Sequence, residues 1–167
     1  MMDVMGLMEA LSAGKMVLEV NSGLDLCARL IENTAKEEIG HYQAEHGPFP
    51  AWAPLADSTM REKTRLGYTG RLSADDPLYR TGEMRDSIEH RTEDLEAEIG
   101  TDSEIAPYHE FGTSKMPPRP FLGPSLVRNK ENIEKIIGGF AATALVSFDS
   151  GSEWKSDIER IMTDAGV

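Results

Sequence analysis

Four histidines, one cysteine and 29 carboxylates are the reactive side chains of this 167-residue chain, and their spacing offers little chemistry. His41-Tyr-Gln-Ala-Glu45-His46 approaches a His-x-x-Glu-His zinc pattern but has one residue too many. Ligands three or four apart share a helix face, whereas His41 and His46 diverge by about 140° at 3.6 residues per turn. His109 and Glu110 are adjacent and point apart in either a helix or a strand. Cys27 sits between Leu26 and Ala28 in a helical pattern, which suits a small buried side chain better than a nucleophile. No glycine-rich phosphate loop and no Gly-x-Ser-x-Gly occurs. The expectation is a chain with no catalytic residue, no cofactor and no metal.

The densest local information lies in residues 106–124, Ala-Pro-Tyr-His-Glu-Phe-Gly-Thr-Ser-Lys-Met-Pro-Pro-Arg-Pro-Phe-Leu-Gly-Pro. Pro107 can open a helical turn, where its missing N–H is not needed. Gly112 is placed to end that turn with positive φ. Pro117, Pro118 and Pro120 hold their neighbors extended and make the segment cheap to order. Phe111, Met116, Phe121 and Leu122 offer apolar surface, to a partner or to the chain's own core. Arg119 stands between prolines with its fork of donors aimed at small entropic cost. A carboxylate suits that fork, and Glu110 of the same chain or an acid of the next subunit is the expected partner, with a solvated surface arginine as the alternative.

The elements that position this block are legible from periodicity. Leu24, Cys27, Ala28, Leu30, Ile31, Ala35 and Ile39 predict an amphipathic helix over 22–45, with Ser22 at its start. Residues 1–20 are Met-rich and weakly patterned: Met5, Met8, Leu11 and Met16 could line one stripe of a short helix, which Gly6 and Gly14 weaken. From 46 to 79 repeated Pro and Gly break the pattern. This long excursion is expected to serve contacts and to be mobile in a free subunit; Trp52 and Leu55 anchor it, and Asp57-Ser58-Thr59 cap one short helix. Ile88, His90 and Thr92, then Leu95, Ala97 and Ile99, predict a hairpin turning near Glu93-Asp94. A second amphipathic helix follows over 124–145, then a short pattern headed by Ser152 and carrying Trp154, Ile158, Ile161 and Met162. Leu30, Ile31, Leu95, Ile99, Ile133 and Phe140 are expected to share one core. The plan is α+β: a small antiparallel sheet against two amphipathic helices, with a long irregular loop and a C-terminal helical extension. Residues 1–150 read as a single domain and 151–167 as the extension.

Composition narrows the function. With 40% hydrophobic and 28% charged residues, most of the chain should fold. A net charge of −12 opposes a nucleic-acid-binding surface or an anionic membrane, although a negative wall can guide passing DNA. No signal peptide and no apolar run of membrane-spanning length is visible. A cytoplasmic site of synthesis and assembly is expected.

Three stretches in order carry a family resemblance. Trp52-Ala-Pro54-Leu55-Ala-Asp-Ser58-Thr59-Met-Arg-Glu-Lys63 is similar to a W-x-P-L-x-x-x-T-x-x-x-K stretch. Leu78-Tyr-Arg-Thr81-Gly82-Glu-Met84-Arg85-Asp86-Ser87-Ile88 is similar to L-x-x-T-G-x-L-R-x-S-I, with Met84 for the usual Leu. Tyr108-His-Glu110-Phe111-Gly112-Thr113 with Pro118-Arg119-Pro120-Phe121-Leu122 is the most specific of the three. Together they resemble the neck and tail-completion (virion morphogenesis, tail-component) proteins of long-tailed bacteriophages. Residues 1–21 and 146–167 lie outside the resemblance. It implies a structural phage or prophage protein of the head–tail junction or tail completion, and a ring of copies around the DNA channel. Its partners would be itself and neighboring connector or tail proteins, with double-stranded DNA only as cargo and no membrane. It would reside in the host cytoplasm during assembly, then in the virion. Trp52, Leu55, Glu110, Phe111, Arg119, Phe121 and Trp154 are the candidate assembly residues. The alternatives are a small dimeric α+β binding or toxin–antitoxin-type module and, behind it, a metal-dependent hydrolase using His109 and Glu110.

Overall fold

The computed structural model describes residues 4–68, 73–145 and 154–164. In chain order these form helix α1 (Val4–Glu38), α2 (Asp57–Arg65), α3 (Glu83–Asp86), strands β1 (Ile88–Glu93) and β2 (Glu96–Thr101), then α4 (Ala106–Phe111), α5 (Leu122–Arg128), α6 (Lys130–Leu145) and α7 (Trp154–Asp164). The protein is α+β and mostly helical, with one two-stranded antiparallel sheet among the described residues. Within them no helix is long and apolar enough to cross a membrane.

Helix α1 begins well before the expected position. It runs through Gly14, although an interior glycine costs about 1 kcal/mol. Ser22 is therefore not a cap: its hydroxyl donates back to the Leu18 carbonyl at 2.9 Å, a bond open to a serine inside a helix. The helix also stops earlier than residue 45, at Glu38. Gly40 takes φ 100°, a left-handed value that ends helices. Its N–H donates to Pro77 O at 2.9 Å.

The hairpin stands with its turn one residue later than expected. Asp94 and Leu95 both have positive φ, 49 and 65 degrees, as a two-residue primed turn requires. Leu95 is thus a turn residue and not a strand residue. It is 47% exposed, which corrects its place in the expected core. From Glu96 onward the alternation holds, with Ala97 and Ile99 half-buried between exposed Glu96 and Glu98.

Two further boundaries move. Asp57, Ser58 and Thr59 lie inside α2, whose cap position is Ala56 and has no side-chain cap. The expected helix over 124–145 is two helices, parted at the buried Asn129. Ser152 lies outside the described residues.

The chain groups into two compact units, each with its own core. The first comprises Met1–Leu30, His90–Glu98 and Asn129–Val167. Cys27, Leu30, Ile136 and Ile161 are its buried center, with Ile133, Ile137, Phe140 and Met162 packed on it. Ile161 brings α7 onto this core. The second unit comprises Ile31–Glu89 and Ile99–Arg128. Ala35, Ile39, Trp52, Met84, Ile88, Ala106 and Phe121 form its center, with Ile99 partly buried against them. The single expected core is therefore divided: Leu30, Ile133 and Phe140 belong to one cluster and Ile99 to the other. Periodicity identifies a buried face but not the neighbor that covers it.

Candidate functional site

The block 106–124 folds as a closed assembly within the second unit. Helix α4 carries Pro107 in its first turn and ends at Gly112, with φ 72° and ψ 179°. A Cβ at Gly112 would lie 2.8 Å from Pro118 N and 2.9 Å from Met116 O, so only glycine fits. The next turn is clasped by paired backbone bonds between Thr113 and Met116, at 2.9 and 3.3 Å. Arg119 N–H then donates to His109 O at 2.7 Å, which returns the proline segment to α4.

Glu110 and Arg119 do not pair with each other. The Glu110 carboxylate accepts three backbone N–H groups, from Phe121 (2.8 Å), Leu122 (3.1 Å) and Gly123 (3.0 Å). These are the orphan donors at the start of α5, where negative charge is favored. Arg119 is 5% exposed and its guanidinium donates to backbone carbonyls instead: Nε and Nη2 to Ala53 O at 3.1 and 2.9 Å, and Nη2 to Pro54 O at 3.1 Å. Trp52 Nε1 donates to Pro120 O at 3.1 Å. Residues 52–54 and 119–121 are thus stitched together by the side chains of Trp52 and Arg119, which joins the first and third sequence stretches in space. Both the pairing with Glu110 and the solvated arginine expected from sequence are corrected.

The other candidate residues separate by burial. Trp52 and Phe121 are inside the core, at 5% and 0% exposure. Leu55 is half-buried, with its N–H on the Tyr42 hydroxyl at 2.9 Å. Phe111, at the end of α4, is 80% exposed. Trp154 opens α7, and its side chain lies outside the described residues.

Two buried ionizable groups escaped sequence reasoning. Lys63 closes the first sequence stretch; it is buried and donates from Nζ to Asp76 O at 2.7 Å. That bond fastens α2 to the return of the long excursion. Burial lowers the Lys63 pKa, and the carboxylates of Asp76 and Asp75 act against that. Glu38 is 3% exposed. Arg128 Nε lies 3.3 Å from its Oε1, close enough for charge attraction, yet neither carboxylate oxygen of Glu38 has a hydrogen bond of acceptable geometry. Burial pushes its carboxyl up to about 7, Arg128 opposing and the nearby Glu110 charge adding to the rise. Its signal in sequence is an acid three residues beyond Ala35 and seven beyond Ile31, on the apolar stripe of α1.

Beside the block lies a cleft of about 370 Å³ with walls that include Leu55, Leu78, Ile105 and Met116. His109 faces it. Burial and the Arg119 charge hold the His109 imidazole below its usual pKa, and its Nδ1 is buried without a hydrogen bond. Glu110 is committed to α5, so His109 and Glu110 do not act as a pair. Among the described residues no group of three or more His, Cys, Asp or Glu side chains could hold a metal ion. The arrangement can hold an apolar side chain or a short segment of polypeptide.

Comparison with known proteins places this geometry. The sequence model of the phage virion morphogenesis family matches residues 24–139. The match takes in the block, the cleft and the hairpin, together with parts of α1 and α6. No curated protein and no solved structure matches. With more than half of its length matched, the chain belongs to the phage virion morphogenesis family and has a structural or morphogenetic role in a phage particle.

Proposed function

We propose that this protein is a non-enzymatic structural part of the head–tail junction, or of tail completion, and that copies of it form a ring around the DNA channel. Its partners are itself and the adjoining connector or tail proteins, and DNA only passes through. It is made in the host cytoplasm and carried in the virion. The observation behind this reading is the use of polar groups in the most specific block. Glu110, Arg119 and Trp52 are all spent on internal hydrogen bonds. What remains outside is a rigid body presenting Tyr108 and Phe111, at 57% and 80% exposure. Large exposed aromatics on an ordered frame mark an assembly surface better than a reaction center. The acidic balance of −12 suits a wall past which DNA moves without sticking.

Deleting the gene and imaging the particles by electron microscopy tests the reading. Heads without joined or completed tails are expected, with many copies of the protein per wild-type particle by quantitative mass spectrometry. Normal infectious particles formed without the protein would overturn the structural role, and one copy per particle would overturn the ring.

A further inference from the structure

The cleft beside the block is cationic in an acidic protein. Its lining holds Lys63, Arg80, Lys115 and Arg119 against Glu62 and Asp76. Lys63 and Arg119 donate to backbone carbonyls, so their charges are fixed under the cleft. Arg80 and Lys115 stand exposed at the rim, with the Arg80 guanidinium 4.6 Å from the center of the Tyr68 ring. The apolar wall is only partly covered: Ile105 is 52% exposed, and Leu55, Leu78 and Met116 are half-buried.

The hairpin tip has the complementary character. Glu93, Asp94, Glu96 and Glu98 surround Leu95, and Arg91 is the cation beside them, paired with Glu93. Leu95 is held in a left-handed conformation that is unfavorable for a residue with a bulky side chain. Its N–H is tied to Asn21 Oδ1 at 2.9 Å. The backbone therefore fixes an apolar side chain on an acidic tip. Backbone strain of this kind gathers where a side chain must be presented.

We infer that the acidic hairpin tip around Leu95 of one copy docks into the cationic cleft bounded by Arg80 and Lys115 of a second copy. This inference rests on the ring reading and names the two surfaces that make the contact. Leu95 enters the apolar wall while the flanking carboxylates meet the rim cations. The patches are different, so the contact is heterologous. Each copy keeps one free tip and one free cleft, and repetition closes a ring when the rotation allows.

The test uses two full-length variants, with changes confined to exposed side chains. In the tip variant, Leu95→Asn and Glu96→Lys remove the apolar group and one charge; asparagine tolerates the left-handed turn. In the cleft variant, Arg80→Glu and Lys115→Glu reverse the rim. Sedimentation velocity across a concentration series, at low and high salt, reads association; circular dichroism confirms folding. The parent is expected to oligomerize, less so at high salt. Each variant alone should associate roughly tenfold more weakly or worse. An equimolar mixture should form a 1:1 heterodimer that grows no further, because each partner keeps one intact patch. If the double cleft variant misfolds, Lys115→Glu alone serves, with the same directions expected. A parent that stays monomeric, variants that associate as the parent does, or a mixture that stays monomeric would each overturn the contact. An oligomeric parent with unaffected variants overturns only this contact, whereas a single copy per particle overturns the ring.

Discussion

Replacing Glu38 by glutamine should make the protein more stable, and only at the higher end of the pH range. Glu38 is 3% exposed and its carboxyl is pushed up from 4.5 to about 7. The folded chain therefore holds this proton more tightly than the unfolded chain does. Between those two pH values the folded state binds more protons, so stability falls as pH rises. The contribution is fully present below about 4.5, declines with rising pH and is gone above about 7. At about 1.4 kcal/mol per pH unit the whole span is worth about 3 kcal/mol. Glutamine has the same shape and no proton to lose. Urea denaturation of parent and Glu38→Gln from pH 4.5 to 8.5 should give curves that coincide at the acid end. By pH 8 the variant should be ahead by about 3 kcal/mol. The loss of attraction to Arg128 is small, since that side chain is 31% exposed and gains solvation. A difference that does not change with pH, or a variant less stable than the parent at pH 8, would show that Glu38 is not a desolvated carboxyl.

Four other outcomes follow from the same geometry. Arg119→Ala should destabilize by about 1–3 kcal/mol in thermal or chemical melts, because the Ala53 and Pro54 carbonyls lose a charged donor. Arg119→Lys should recover at most about half of that, since an ammonium lacks the planar fork that reaches Ala53 and Pro54 together. Phe121→Ala should cost about 3–5 kcal/mol, because the ring is fully buried. Phe111→Ala should change stability by at most about 0.5 kcal/mol and instead impair particle assembly in complementation. In limited digestion, trypsin should cut after the exposed Arg65 well before the buried Lys63; the reverse order would disprove the Lys63–Asp76 clasp.

Much of the block was legible because its residues act through the backbone. Pro107 and Gly112 each favor particular conformations, and the short helix between them follows. Arg119 stands out in the sequence by its place between prolines, but its acceptor does not, since a guanidinium serves carbonyl and carboxylate oxygens alike. Glu110 was unavailable for it because three amides at the start of α5 compete for the same carboxylate. The α+β plan and the two long helical stretches were readable from periodicity. The start of α1 was not: Gly6 and Gly14 argue locally against a helix. The hairpin was right in kind but one residue early at the turn, because Asp94-Leu95 carries none of the glycine or asparagine signals of a primed turn. Lys63 was visible as part of a motif, but its burial depends on Asp76, far along the excursion.

Cys27 has a practical consequence. A component of a phage particle meets oxygen once the particle is free. Cys27 is 4% exposed, and burial pushes its thiol pKa up from 9.0 to about 11. Only about one thiol in ten thousand is then ionized at pH 7, and the thiolate is the form that reacts. Such a thiol should not cross-link one copy of the chain to another. The native chain should also react little with maleimide, so a cysteine introduced at exposed Leu95 or Phe111 would take a label at one defined position. Each proposed contact can thereby be followed by its own fluorophore without first removing the native thiol.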